Sequence, residues 1–188
     1  MKKIPALCFF LFLLVPLWTQ TREEGKAVAS ASLEIPPGNS AAELSGDAEA
    51  PELDMEAVFR RCITVLAREY LGVPYRYSGV TPEGFDCTGF IYFVFKEAAG
   101  MEISRSSAGL WNSGKKVALT QVRPGDVLIF TTVRPGASHA GIVLENGPGG
   151  IIFIHAASQG AKTGVIVSAL NENYYKARFM GARSYFGF

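Results

Sequence analysis

The chain holds three cysteines and two histidines, so any thiol chemistry must draw on very few side chains. Cys87 sits in "PEGFDCTGFIYFVF", Pro82 to Phe95, where a polar loop gives way to a bulky apolar run. That change predicts a loop turning into a helix, with Cys87 in the first turn. Unpaired backbone N–H groups and the positive end of the helix dipole favour an anion there. The thiolate is the reactive form, and such a position lowers a cysteine pKa from ~8.5 to roughly 3.5–7.5. The competing reading is a structural cysteine pointing inward with Phe90 and Ile91, which local spacing leaves open.

His139 opens the run "SHAGIVL", and His155 falls late in "IIFIHAAS". Alternation puts His155 on the face of Ile151 and Phe153, and His139 on the face of Gly141 and Val143. If the two runs pair through the turn at 146–150, the histidines become near neighbours on one sheet face. Lone strand histidines are more often packed core or edge residues. Both histidines landing side by side is harder to dismiss. Cys, His and Asp86 are also competent metal ligands, but their spacing matches no local zinc pattern, so neither metal nor cofactor is expected.

The elements that must position these residues are legible. Asp54 is a candidate N-cap. Met55, Val58, Phe59, Cys62, Ile63, Leu66 and Tyr70 recur at helical intervals, and Gly72 and Pro74 close the segment. Cys62 lies on the apolar stripe as a small hydrophobe, which argues against a disulfide to Cys87. A turn-rich stretch follows, then a second helix from about Cys87 to Ala99 with Gly100 as its stop. Beyond an irregular or briefly helical stretch at 105–114, the period changes. "DVLIFTT", "HAGIVLENG", "GIIFIHAAS", "GVIVSAL" and "KARFMGARSY" read as strands separated by turns. The glycines of "NGPGG" join two strands and precede no helix, so they make a hairpin turn rather than a phosphate loop. Helices first and strands afterwards argue for an α+β fold with an antiparallel sheet.

With 188 residues, 48% of them hydrophobic and 12% aromatic, the chain can build one domain with a real core. The net charge is +1, with no basic run longer than Lys115–Lys116, which excludes a nucleic-acid footprint. Lys2 and Lys3 precede "IPALCFFLFLLVPLW", an uncharged apolar segment of 15 residues. That is short of the ~20 a spanning helix needs and reads as an export signal over 1–20. Membrane contact is expected only if this segment stays uncleaved. Residues 21–52 are Ala-, Ser-, Glu- and Pro-rich with almost no aromatics, the composition of a disordered tether. The folded domain is expected at 53–188, as a monomer.

The motifs "GVPYRYSGVTPEGFDCTGFIYFVF", "ISRSSAGLWNSGKKV", "VRPGDVLIF", "SHAGIVL" and "IHAAS", in that order, resemble the NlpC-type cell-wall peptidases, a papain-like cysteine peptidase group. The resemblance runs from about Val58 to Arg183. It implies a papain-like fold, with N-terminal helices packed on a C-terminal antiparallel sheet. It also implies that Cys87 is the nucleophile, His139 the general base and His155 the residue that orients the base. Tyr75 takes the place of the family tyrosine that lines the site and helps hold the oxyanion. Asp86 and Thr88 flank the nucleophile, Thr88 standing where Ser is usual. Leu110 departs from the Gln of many members and puts one subsite wall in doubt. No fused wall-binding domain is read in the chain. The implied substrate is the stem peptide of peptidoglycan, cut between D-γ-glutamyl and a diamino acid in the periplasm, at the wall or outside the cell. The alternatives are an inactive wall-binding module and an acyltransferase using the same thioester.

Overall fold

The computed structural model describes residues 53–160 and 162–187; the expected export signal, with Cys8, and the tether fall outside them. Helix α1 (Met55–Glu69) starts where Asp54 accepts a hydrogen bond from the Ala57 N–H at 3.1 Å. Its Ile63 and Ala67 face the core. Helix α2 (Cys87–Ala99) starts at Asp86, whose carboxylate accepts from the Gly89 N–H, and stops at Gly100 in the left-handed conformation. Both boundaries follow the side-chain cap and glycine stop that the sequence carries. Between the helices, β1 (Val80–Thr81) and β2 (Gly84–Phe85) form a small hairpin, which the sequence reading left as a turn-rich stretch. A short helix, α3 (Ser107–Asn112), follows α2.

The remaining strands are β3 (Lys115–Val117), β4 (Val127–Phe130), β5 (His139–Gly147), β6 (Gly150–Ala157), β7 (Gly164–Ala169) and β8 (Phe179–Ser184). They make one six-stranded sheet in the order β3-β8-β4-β5-β6-β7, with every pairing antiparallel. A helical turn, α4 (Asn173–Lys176), links β7 to β8. The fold is α+β and papain-like, with the helices before the sheet. Strand β3 and turn α4 are additions to the expected element order.

Both faces of the sheet are covered. On one, Ile63, Ala67, Phe90 and Val94 of the helices pack against Ile129, Ile142 and Ile154. On the other, Phe130, Val143 and Phe153 meet Val122, Leu170, Tyr175 and Phe179. The β5–β6 register pairs Ile142 with Ile154. Carried one step on, it sets Gly141 opposite His155, with His139 the next residue on that face. The two histidines are therefore diagonal neighbours, as the hairpin reading expected.

Candidate active site

Cys87 is the first residue of α2, so its position is fixed by whatever fixes that helix end. The Asp86 carboxylate accepts from the Gly89 N–H at 2.6 Å and pairs with both terminal nitrogens of Arg105 at 3.0 and 3.2 Å. Thr88 donates to the Arg105 carbonyl at 2.9 Å and accepts from the Arg105 guanidinium at 2.7 Å. Asp86 and Thr88 thus brace the nucleophile's turn against the segment leading into α3. The turn also needs two close backbone approaches. A Cβ on Gly89 would stand 1.9 Å from the Gly79 carbonyl oxygen, and one on Gly79 would stand 2.2 Å from that of Gly84.

The backbone N–H groups of Ala140 and Thr88 and the Ser107 hydroxyl act on the Cys87 sulfur, each favouring its thiolate. The Ala140 contact follows from the ladder. Val143 N–H donates to the Asp126 carbonyl of the β4 side at 2.8 Å, so by alternation the Ala140 N–H points away from β4. The β5–β6 pairing ends at Ile142–Ile154, and no β6 carbonyl takes that N–H. It is this N–H, next in sequence to His139, that acts on the Cys87 sulfur.

His139 and His155 meet directly, Nε2 to Nδ1 at 2.9 Å, with rings edge-on at 87°. His139 therefore has only Nδ1 left for a proton from elsewhere. The Nε2 of His155 lies 3.1 Å from both the Ser168 hydroxyl and the Tyr175 hydroxyl, and its ring stacks on Phe153. Glycine at 141 makes the approach of the rings possible. A Cβ there would come within 2.6 Å of the Phe153 ring and 3.1 Å of the His155 Cβ.

Burial sets the charge states. It lowers the His139 pKa from 6.5 to about 4, and burial with the neighbouring His139 pushes His155 down further still. Burial, then the Asp86 carboxylate, raise the Cys87 thiol above its ordinary value despite the groups that favour its thiolate. This reverses the depressed pKa expected from the helix terminus: desolvation outweighs the helix end. The resting pair is thiol and imidazole. Tyr75 is half-buried, and burial followed by the charges of Cys87 and Asp86 raise its pKa. Its hydroxyl stays protonated and able to donate. It is held by Arg76 N–H to Phe85 carbonyl and Phe85 N–H to Pro74 carbonyl bonds at 2.9 and 3.2 Å.

The structure sets Tyr75, Asp86 and Thr88 beside Cys87 and pairs His139 with His155, with His139 next in sequence to Ala140, whose N–H acts on the Cys87 sulfur. Sequence reasoning missed Arg105, Ser107, Ser168 and Tyr175. Ser168 carried a signal, a polar residue within the apolar strand "GVIVSAL". Among the described residues no His, Cys, Asp and Glu cluster could hold a metal ion. No disulfide joins Cys62 to Cys87, and Cys62 is half-buried.

Comparison with known proteins fits this geometry. Over 121 residues the chain is 43% identical to the "Gamma-DL-glutamyl hydrolase" of Bacillus subtilis (strain 168), covering 63% of this chain and 28% of that protein. It is 37% identical over 115 residues to the "Murein DD-endopeptidase MepS/Murein LD-carboxypeptidase" of Escherichia coli (strain K12), covering 61% of this chain and 57% of that one. The chain thus spans less than two thirds of either relative. The crystal structure of the NlpC/p60 domain of the peptidoglycan hydrolase SagA aligns with a TM-score of 0.55 at 28% identity, over 66% of this chain and 97% of that domain. The pattern of the NlpC/P60 family matches residues 72–184, from the turn ahead of Tyr75 to the end of β8. That is more than half of the sequence, and the chain belongs to the NlpC/P60 family.

Proposed function

We propose that this protein is an exported thiol peptidase that hydrolyses amide bonds in peptidoglycan stem peptides, between D-γ-glutamyl and a diamino acid. One observation carries the reading: the 2.9 Å contact between the only two histidines, one of them next in sequence to Ala140, whose N–H acts on the Cys87 sulfur. The names of the relatives, a γ-glutamyl hydrolase and a murein endopeptidase, support the substrate class. The charged and apolar N-terminal segments support export.

The mechanism follows from the resting state. His139 Nδ1 takes the Cys87 proton as the sulfur attacks the substrate carbonyl, so S–C bond formation and proton transfer are coupled. The oxygen gains the negative charge and is met by the Cys87 backbone N–H and the protonated Tyr75 hydroxyl, donors worth about 3 kcal/mol each in such a role. The imidazolium gives its proton to the amine as the C–N bond breaks, leaving an acyl-thioester. Water then attacks, giving its proton to His139. The thioester C–S bond breaks, the acid leaves and the thiol is restored. His155 accepts the His139 Nε2–H throughout and fixes which nitrogen faces the sulfur.

Cys87→Ala should abolish release of stem-peptide fragments from purified peptidoglycan, read by mass spectrometry. Undiminished release would remove the nucleophile. Binding of the unaltered chain to peptidoglycan with no release would indicate a wall-binding module, and adducts with added amines an acyltransferase.

A further inference from the structure

A histidine in the orienting position creates a requirement that a carboxylate or amide would not. To accept the His139 Nε2–H, the Nδ1 of His155 must be unprotonated, so its proton must sit on Nε2. That N–H is buried, with His155 only 1% exposed, and an unmatched buried donor is costly. If Nε2 lacked an acceptor, His155 would favour the other tautomer and protonate Nδ1. It would then donate to His139 Nε2 and leave the His139 proton on Nδ1, facing the sulfur. A base in that state cannot take the thiol proton.

Two hydroxyls meet the requirement. Ser168 Oγ and Tyr175 Oη each lie 3.1 Å from His155 Nε2. They come from different elements, β7 and α4. The sheet fixes the first, since Ser168 pairs with Phe153, the residue whose ring stacks on His155. The second is fixed by packing, with the Tyr175 ring edge-on to Phe153 and against Phe130. Both hydroxyls flank the same ring nitrogen, so either can accept from Nε2–H. The titratable groups that face His155 are His139 and Tyr175. Glu172 and Tyr174 act only on Tyr175.

We infer that Ser168 and Tyr175 are positioning residues that hold His155 in its Nε2–H tautomer, and through it keep His139 Nδ1 free to act as base. The inference rests on the thiol-peptidase reading. Either hydroxyl serves as acceptor. Ser168→Ala and Tyr175→Phe alone should therefore each cost about threefold in kcat/KM for fragment release from purified peptidoglycan. The double variant should cost more than about thirtyfold, since the pair acts as a unit.

The decisive measurement repeats the double substitution with His155→Asn. The Asn carbonyl accepts from His139 Nε2–H without needing Ser168 or Tyr175, so there the double substitution should change kcat/KM by less than about twofold. Ser168→Thr, which keeps the hydroxyl, should restore the activity of the Ser168→Ala, Tyr175→Phe protein. Should the Asn background prove unfolded, imidazole ¹⁵N spectra of the otherwise unaltered chain decide. Its His155 proton should be on Nε2, and on Nδ1 or divided between the two nitrogens in the double variant. Equal losses in both backgrounds, or an unchanged tautomer, would reduce the hydroxyls to packing and overturn the inference. That outcome leaves the peptidase reading intact, whereas activity surviving Cys87→Ala would remove the reading itself.

Discussion

At the residue scale, the proposed reactive pair, Cys87 and His139, is governed by desolvation. The thiol is raised and its base is lowered to about 4, so both are neutral at pH 7. The sign is fixed: His139 is competent above its depressed pKa and is lost as a base when pH falls through it. The acid limb of kcat/KM should lie near pH 4. Alkylation of Cys87 without substrate should climb with pH beyond neutrality. A plateau of fast alkylation at pH 6 would demonstrate a standing thiolate–imidazolium pair and contradict this charge assignment. Sequence singled out Cys87, His139 and His155 because their types are scarce. It did not carry their ionisation, because the helix terminus is visible in "FDCTG" while the burial that overrides it comes from residues distant in the chain.

At the element scale, the helix that carries the sulfur stands where backbone touches backbone. Gly89→Ala would drive a methyl into the Gly79 carbonyl, 1.9 Å away, and toward the Asp86 carboxylate at 3.2 Å. The expected cost is roughly 1–3 kcal/mol of stability by urea denaturation, with activity falling at least about tenfold as the nucleophile shifts. Stability and rate both unchanged would mean the turn relaxes without moving Cys87. Helices α1 and α2 were readable in detail, since Asp54, Asp86 and Gly100 are caps with local causes. So was the β5–β6 hairpin, where alternation and a turn fix the register. Strand β3, "KKV", was not: three residues with two charges become a strand only because β8 offers its edge.

At the scale of the whole molecule, the helical and sheet halves are pinned by Arg60, which is 7% exposed. Its guanidinium reaches Asp126 at 2.9 Å, the Pro124 carbonyl at 2.8 Å and Ser184 at 3.0 Å. It also bonds Glu56 at 2.8 Å and lies over the Phe186 ring. Arg60→Met should cost roughly 3–5 kcal/mol, because it strands the Asp126 carboxylate in the interior. The fraction that remains folded should keep its kcat, a separation checked by urea denaturation alongside kinetics. In the sequence Arg60 reads as one of several polar residues of an amphipathic helix; only its distant partners make it a core residue. The halves also meet where the Ala140 N–H of β5 acts on the Cys87 sulfur of α2. In the proposed reaction, the atom at that contact is also the one that makes and breaks the covalent bond. Acylation would put new bulk on the sulfur of the resting thiol. On the proposed reaction, covalently held product would perturb the contact between α2 and β5 until it leaves.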